Sequence, residues 1–421
     1  MINARIIAAM LAGLLPAGVL AQAPILPPII MPAAGGAPAG NEAAGKLKPP
    51  VAPAQPAAAE ALPVGKLRLP SGFHVEVYAS GIPDARSLRV GPRGTVFVAS
   101  PASGKVYAID AQRAVKVIAS GLHRPNGLAL RDGTLFIAEV AHISKIDNVE
   151  DALDNPPKPV AVYEDLPKDE ENGLRFLGVG PDGKLYVSIG QPCNNCMPQA
   201  TQAQIRRIDL EGNVVEAVAL GVRNSLGFDW SPQSKQLYFT DNGRDWLSED
   251  APSDELNRVA KPGEHFGAPF CYQGNLPDSE FGWGRSCDEF TPPLTLLGPH
   301  VAPLGMRFYT GRMFPRDYHD AIFIARHGSW NRTKKLGGDV VVVRLNKNGS
   351  VNSMEPFLTG FLADNNYLGR PVDVEIMRDG ALLVSDDWNG AVYRITSGRE
   401  SAQPAREPAR EQRGGRFFFD R

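Results

Sequence analysis

Polar side chains that could bind or transform a ligand recur directly after short apolar segments of this sequence. In chain order they are Glu139, His142, Gln191, Asp241, Asn242, Gly243, Arg244, Arg326, His327, Trp330, Asp386 and Asp387, and a second set lies just before such segments, namely Arg175, Arg223, Asn224 and Arg370. Several arginines around one opening indicate an anionic ligand, because guanidinium groups bind carboxylates bidentately. The carboxylates and backbone carbonyls of TDNGRD, residues 240–245, are typical of a site for a hard cation such as calcium.

These side chains can meet only if the surrounding segments bring distant parts of the chain together. Six stretches repeat a tight turn, an apolar strand, a loop and a second strand, starting near residues 91, 131, 180, 231, 314 and 377. Their Asp-Gly and Arg-Gly turns are typical of hairpins. A strand-only repeat every 40 to 60 residues or so predicts an all-β protein, a six-bladed β-propeller, whereas a β-sandwich has no reason to repeat one hairpin six times.

The ends of the chain differ in composition from this repeat. Residues 1–21 have the order of a secretory signal peptide, with an uncleaved anchor as the alternative, and residues 22–64 are Ala/Pro-rich, typical of a disordered linker. We therefore expect the propeller to span residues 65–398, with residues 72–79 adding a strand to the last blade, and residues 399–421 to form a disordered charged tail. No other segment is apolar enough to cross a membrane, so we expect no membrane insertion after signal cleavage and a periplasmic or secreted protein.

Charge and cysteine content restrict the partners. The chain has 44 Lys and Arg against 46 Asp and Glu, so nothing in its net charge attracts nucleic acid. Its four cysteines form two local pairs, Cys193/Cys196 and Cys271/Cys287, which in an exported chain favour two disulfides over redox or metal chemistry. Met197 follows the CxxC where haem attachment needs a histidine, and no second CxxC completes a zinc site.

Five segments, in this order, resemble the pyrroloquinoline quinone (PQQ)-dependent soluble sugar dehydrogenases, and the sorbosone dehydrogenase-like branch is the most similar. They are GVRNSLGFDW, LYFTDNGRD with DELN, HVAPLGMRFY, IARHGSWNR and GRPVDV, within residues 66–397. The resemblance implies a six-bladed propeller with PQQ over its channel and calcium at the quinone carbonyls. It also implies oxidation of a sugar or related alcohol or aldehyde, with electrons passing to a separate acceptor such as a cytochrome or a quinone.

The resemblance assigns quinone contacts to Arg223 and Asn224, while Leu226 stands where the family has a glutamine. Arg175 matches a basic position of the family. Trp330 is a further candidate contact, with a structural wedge between blades as the alternative.

The same resemblance implies the cation site and the grip on the cofactor's carboxylates. Gly243 and Arg244 match the loop whose backbone carbonyls bind calcium. Arg370 matches a carboxylate-binding arginine, and a second such arginine is replaced by Val372. We therefore expect Arg326, or Lys334, to bind a carboxylate of the cofactor in its place.

The family's catalytic base is a histidine, and Asn172 stands at its position in DEENGLRFLGVG. An asparagine cannot accept a proton near neutral pH. The candidate catalytic positions are therefore Asn172 itself, the neighbouring Glu171, and His327 or His142 from other blades.

Two other functions remain open at this point. HRPNGLAL and YFTDNG also resemble gluconolactonase-like propellers, and a calcium-dependent lactonase would need Glu139, Asn224 and Asp241 on one metal ion. The second is a propeller that binds a ligand without catalysis, because asparagine replaces the histidine that serves as the base in the family.

Overall fold

The computed structural model describes residues 47–50, 53 and 55–398. The predicted signal peptide, residues 22–46 of the predicted linker and the predicted tail lie outside the described residues.

The described chain is built almost entirely from strands, the first of which, β1, spans Phe73–Ser80. Blade 1 contains β2 (Leu88–Val90), β3 (Val96–Ser100), β4 (Lys105–Ile109) and β5 (Val115–Ser120). Blade 2 contains β6 (Gly127–Arg131), β7 (Thr134–Ala138), β8 (Ile143–Ile146) and β9 (Val160–Tyr163). Blade 3 contains β10 (Leu177–Val179), β11 (Leu185–Ile189), β12 (Gln204–Asp209) and β13 (Val214–Leu220).

Blade 4 contains an insertion before its last strand. Its first strands are β14 (Phe228–Trp230), β15 (Leu237–Asp241) and β16 (Ser253–Arg258). The insertion carries β17 (Glu264–His265), β18 (Cys271–Tyr272) and β19 (Leu276–Pro277), and β20 (Thr295–Pro299) completes the blade. β17 pairs in parallel with β13 of blade 3.

Blades 5 and 6 follow the same plan. Blade 5 contains β21 (Pro303–Phe308), β22 (Ile322–Arg326), β23 (Asp339–Leu345) and β24 (Val351–Leu358). The short pair β25 (Leu362–Ala363) and β26 (Asn366–Tyr367) leads to blade 6, with β27 (Pro371–Ile376), β28 (Leu382–Asp386) and β29 (Ala391–Ser397). Short 3₁₀ helices span Ala59–Ala61, Pro63–Lys66, Val149–Asp151, Cys287–Glu289 and Arg316–Tyr318.

Strand β1 completes the sixth sheet and closes the ring. It pairs antiparallel with β29, from Phe73 opposite Ser397 to Ser80 opposite Ala391. The Phe73 ring packs edge-to-face on Phe314 and Phe357, with centroid separations of 4.8 and 5.1 Å. The predicted six-bladed propeller and its closure by residues 72–79 are confirmed.

The hairpin repeat in the sequence corresponds to the second and third strands of each blade. The innermost strands β2, β10 and β14 are only three residues long, so they form no recognisable apolar run. The innermost strands of neighbouring blades meet at the axis, as β14 does with β21 and β21 with β27, and glycine is needed at these contacts. A Cβ on Gly227 would collide with the Leu304 carbonyl, and one on Gly305 would collide with Asp373.

Near the axis of the ring, one buried aromatic side chain contacts two arginines. The guanidinium carbons of Arg89 and Arg307 lie 5.0 and 5.4 Å from the centroid of the buried Phe176 ring. Glu375 pairs with Arg89 at 3.4 Å and with Arg307 at 3.1 Å, and Asp373 lies 3.6 and 3.8 Å from the same two arginines. Cation–π contact and ion pairing together allow these charges to be buried.

The chain already contacts the propeller before residue 65, the boundary that composition predicts. The Ala57 N–H donates to the Asn389 carbonyl at 2.9 Å, and Leu62 and Pro63 are buried. Leu62 belongs to the apolar core that also contains Phe73. A few apolar residues are therefore enough to hold this Ala/Pro-rich segment against the ring.

Both predicted disulfides are present. Cys193–Cys196 lies in the loop between β11 and β12, and Cys271–Cys287 closes the insertion of blade 4. In the part of the chain that the structure describes, no helix is long and apolar enough to span a bilayer.

Replacing Phe73 by alanine should destabilise the protein by about 3 kcal/mol, because β1 loses the buried ring that packs on Phe314 and Phe357. The matched control is Val117→Ala on the outer strand β5, where the side chain is 44% exposed. Thermal and urea unfolding should show a clear loss for Phe73→Ala and almost none for the control. Equal midpoints for both variants would mean that β1 does not secure the ring.

Candidate active site

Loops of blades 3, 4 and 5 surround a cavity of about 430 Å³. The predicted site residues that line it are Glu171, Asn172, Arg223, Asn224, Asn242, Gly243 and Trp330. Its other lining residues are Pro49, Asn194, Asp245, Trp246, Asp254, His300, Ala302 and Asn331. Seven predicted positions from four separate loops therefore meet in one cavity.

Arg223 is the charged anchor of this cavity and is only 5% exposed. Its Nε donates to the Asn194 carbonyl at 3.1 Å, and its Nη2 donates to Asn194 Oδ1 at 2.9 Å. Its Nη1 donates to the Asn242 carbonyl at 3.3 Å, and Asp245 Oδ2 lies 3.5 Å from Nη2. The guanidinium is thus fixed mainly by neutral acceptors, which leaves much of its positive charge for a ligand.

Asp241 holds the loop that carries Arg223 and Asn224. Its carboxylate accepts the backbone N–H groups of these two residues at 2.9 and 2.7 Å. Burial raises the pKa of Asp241 to about 7. Asn242 continues this anchoring, since its Nδ2 donates to the carbonyls of Asn224 and Pro303 at 2.9 and 3.1 Å.

Asp254 joins two further loops in the same way. Its carboxylate accepts the N–H of Gly243 and that of Ala302, both at 2.8 Å. Burial raises its pKa to about 7. A Cβ on Gly243 would lie 2.6 Å from Pro252 Cγ, so the backbone approaches this closely only with glycine.

Two tryptophans form an aromatic wall of the cavity. The rings of Trp246 and Trp330 pack edge-to-face with centroids 4.9 Å apart. Trp246 has a φ of 66° and remains 42% exposed. A bulky residue in the left-handed region costs about 1–3 kcal/mol, and such strain concentrates at functional sites. The strain places an exposed aromatic face beside the cavity.

His300 is a buried, neutral part of the wall. Its Nε2 lies 2.8 and 3.2 Å from the carbonyls of Ser248 and Ala251, which can only accept, so this nitrogen carries the proton. Its Nδ1 accepts from Asn331 Nδ2 at 3.3 Å, and burial lowers its pKa. Asn331 Oδ1 is buried without a hydrogen-bond partner among the described residues, so its capacity to accept a hydrogen bond is unused by the protein.

Glu171 and Asn172 are adjacent but differ in their contacts. Asn172 Nδ2 donates to the carbonyls of Gln191 and Cys193 at 3.1 and 3.3 Å, so this amide anchors its loop. Glu171 is exposed and lines the cavity. Among the hydrogen bonds and ion pairs of the described chain, none involves its carboxylate. Of the two, only Glu171 has the chemistry of a proton acceptor.

His327 and Arg370 belong to a second polar cluster, outside the cavity wall. His327 Nε2 lies 2.9 Å from both carboxylate oxygens of Asp387, which also pairs with Arg86. Burial, with a smaller effect of Arg370, lowers the pKa of His327 to about 4. Arg370 donates to the carbonyl of His327 at 3.2 Å. The His327 N–H binds the carbonyl of the cavity residue Ala302, so the two clusters are neighbours.

The remaining predicted arginines are engaged within the protein. Arg326 forms a bidentate pair with Asp339, the residue opposite it on β23, through Nε at 2.7 Å and Nη2 at 2.5 Å. Arg244 pairs with Asp278 at 2.7 Å. Arg175 is 1% exposed and donates to backbone carbonyls, the nearest at 2.6 Å. These contacts stabilise the loops. A cofactor role for Arg326 and Arg175 and calcium binding by the Arg244 backbone carbonyl stay predictions.

The three ligands that a lactonase would need do not meet. Glu139 lies with His142, at 2.8 Å, in a different cavity from Asn224. Both oxygens of Asp241 accept backbone N–H groups. Across the described residues no three His, Cys, Asp or Glu side chains are grouped to hold a metal ion.

Four polar residues of the two clusters were not among the predicted positions. Asn194, Asp254 and Asn331 line the cavity, and Arg86 pairs with Asp387. Asn194 lies in the segment PCNNC, between the paired Cys193 and Cys196, and the other two lie in the motifs DELN and IARHGSWNR, so these segments contained the necessary signal. Nothing in the sequence around Arg86 distinguishes it from other arginines.

Comparisons with known proteins agree with this architecture. The family model described as TrAA12-like matches residues 67–398. An uncharacterised protein of Borreliella burgdorferi is 34% identical over 343 residues, which cover 78% of this chain and 90% of that protein. A pyrroloquinoline quinone-dependent pyranose dehydrogenase of Coprinopsis cinerea is 30% identical over 165 residues, which cover 34% of this chain but only 21% of that protein. The calcium structure of a Trichoderma reesei protein of Carbohydrate-Active Enzymes Family AA12 superposes with a TM-score of 0.68 at 20% identity, covering 79% of this chain and 97% of that one.

Asp254 should make stability depend on pH near neutrality. Its folded pKa of about 7 lies above the ordinary value of 3.8, so its contribution is largest at acidic pH and is lost as the pH rises through 7. The stability of the native protein relative to Asp254→Asn should therefore fall by up to about 1.4 kcal/mol per pH unit between about pH 4 and 7 and level off above pH 7. Thermal unfolding across this range measures the difference. Asp364→Asn, at an exposed position, is the control, and a parallel response of the two variants would contradict the assignment.

Proposed function

The chain belongs to the TrAA12-like family, and from this premise we propose that it is a PQQ-dependent oxidoreductase that oxidises a sugar or a related alcohol or aldehyde. The observation that carries the proposal is the meeting of Arg223, Asn224, Gly243 and Glu171 in one cavity. The name of the Coprinopsis cinerea relative, a quinone-dependent pyranose dehydrogenase, supports the same chemistry.

The residues of the cavity fit an aromatic, acidic cofactor. A volume of about 430 Å³ is typical of small-molecule sites. Arg223 offers a guanidinium held by neutral oxygens to the carboxylates of PQQ, and Asn224 offers an amide beside it. Trp246 and Trp330 offer flat apolar surface for a quinone or a sugar ring.

The same cavity is rich in oxygen donors suited to calcium. Glu171, Asp245 and Asp254 line it, whereas Arg223 is its one arginine among the described residues. A divalent cation would offset the negative charge of these carboxylates, so that the anionic PQQ can bind beside them. The backbone carbonyls of Gly243 and Arg244 are the proposed ligands, and the unpartnered Asn331 Oδ1 is a further donor in the wall. Calcium is also named for the Trichoderma reesei structure.

The proposed chemistry separates cofactor and protein roles. When bound, PQQ supplies the hydride acceptor, and calcium supplies a Lewis acid that makes it more electrophilic. Glu171 accepts the proton of the substrate hydroxyl, since its carboxylate faces the cavity without a protein partner. Arg223 and the tryptophans orient the bound molecules.

We further propose that the electrons pass to a separate acceptor, such as a cytochrome or a soluble quinone, and that the protein works in the periplasm or outside the cell. Two disulfides are expected in an oxidising compartment. The predicted signal peptide, residues 1–21, supports the same location.

Purified protein incubated with PQQ and calcium should acquire the absorbance of the quinone and reduce an artificial dye when an aldose is added. Removing calcium with a chelator should abolish both properties, because the anionic cofactor then enters an uncompensated acidic cavity. Failure to bind PQQ at micromolar concentration would refute the function. Hydrolysis of a lactone with calcium alone would instead identify a lactonase.

Glu171→Gln should lower kcat of the reconstituted enzyme by about 10²- to 10⁴-fold, the usual contribution of a general base, while leaving the affinity for PQQ nearly unchanged. Glu170→Gln is the matched control, because Glu170 pairs with Arg124 and His123 rather than lining the cavity. Dye reduction under steady-state conditions measures both. If Glu171→Gln keeps the full rate and His327→Gln loses most of it, the catalytic base is His327 of the neighbouring cluster rather than Glu171.

A further inference from the structure

We propose that Asn194 is the residue that positions Arg223 for its anionic ligand, and that the Cys193–Cys196 disulfide exists to hold Asn194 in place. The identity of the ligand as PQQ rests on the proposed function. The positioning of Arg223 does not, since it follows from contacts within the protein.

Asn194 makes two hydrogen bonds to Arg223 and two to Asp245. Its carbonyl accepts from Arg223 Nε at 3.1 Å, and its Oδ1 accepts from Arg223 Nη2 at 2.9 Å. The same Oδ1 accepts the Asp245 N–H at 2.8 Å, while its Nδ2 donates to the Asp245 carbonyl at 3.2 Å. One residue therefore connects the arginine to the loop on the far side of the cavity.

The disulfide places this asparagine with little conformational freedom. Only Asn194 and Asn195 stand between the bonded cysteines, whose Cα atoms are 5.9 Å apart. The loop is also held from outside, where Asn172 donates to the Cys193 carbonyl at 3.3 Å. Because the closed loop is short, ordering its side chains costs little conformational entropy.

The contacts of Asn194 and Asn331 keep Arg223 from forming a short, bidentate ion pair with Asp245. Asp245 Oδ2 lies 3.5 Å from Arg223 Nη2, and Asn331 Nδ2 holds the other oxygen of that carboxylate at 2.7 Å. Asn194 Oδ1 accepts from Arg223 Nη2 and from the Asp245 N–H, so it satisfies Arg223 without neutralising it. Without this amide, Arg223 would turn toward Asp245, and its charge would be lost to an incoming carboxylate.

Asn194→Ala, Asn194→Asp and the paired Cys193→Ser/Cys196→Ser variant test the proposal, with affinity for PQQ in the presence of calcium as one measurement. Asn194→Ala and the paired serine variant should raise Kd at least 10-fold. Asn194→Asp should bind no better than Asn194→Ala, because its carboxylate would pair with Arg223 and cancel the charge that the neutral amide leaves for the ligand. In an Arg223→Ala background, Asn194→Ala should change Kd by less than 2-fold, since its effect passes through Arg223.

The matched controls are Asn195→Ala, in the same loop but bonded to Tyr272, Asp278 and Glu280, and Cys271→Ser/Cys287→Ser. Both should keep Kd within about 2-fold of the native protein. An effect of Asn195→Ala equal to that of Asn194→Ala would overturn the proposal in favour of general loop integrity.

A second measurement needs no cofactor. Amide hydrogen exchange of residues 241–246 should accelerate in Asn194→Ala, because the Asp245 N–H loses its acceptor, and should not change in Asn195→Ala. If native protein fails to bind PQQ, the proposed function fails while this measurement still tests Asn194. Native-like exchange and native-like affinity in Asn194→Ala would overturn the inference.

Discussion

The cavity depends on buried carboxylates that bind backbone N–H groups rather than a ligand. Asp241 holds the N–H groups of Arg223 and Asn224, and Asp254 holds those of Gly243 and Ala302. Each carboxylate thus joins segments distant in sequence at fixed separation. Burying such groups without partners would cost several kcal/mol, so both positions tolerate little change. The blades supply a rigid ring, but these hydrogen bonds decide how its loops face one another.

Charge balance explains why an acidic cofactor and a divalent cation are proposed together. Glu171 and Asp245 line the cavity with a single arginine, Arg223, among the described residues. Of the other arginines expected at the site, Arg326 and Arg244 pair with Asp339 and Asp278, whereas Arg175 and Arg370 donate to backbone carbonyls. A tri-acidic molecule alone would meet net repulsion, whereas a cation reverses the sign of the local field. The sugar-oxidising chemistry we propose therefore requires both.

The fold was more predictable from sequence than the site. Glycine turns and β-branched runs identify hairpins locally, so the middle strands of every blade were recognisable, whereas three-residue strands such as β10 carry too few residues for a pattern. The role of an arginine depends on partners that motifs do not reveal. Arg223 and Arg244 stand 21 positions apart in the same family pattern, yet only Arg223 lines the cavity, because Asp278 in the insertion binds Arg244. Asn194 was within a quoted motif, but its orientation toward Arg223 is a tertiary property.

The pairing of β1 with β29 also determines the order of assembly. The sixth sheet joins residues at the two ends of the propeller, such as Phe73 and Ser397, so it cannot be completed until β29 has been synthesised. Until then β1 lacks its partner, and an unpaired strand can bind other extended chains. Contacts between such distant residues also slow folding. A polypeptide that closes its ring last is therefore compatible with crossing a membrane unfolded and completing its fold on the far side.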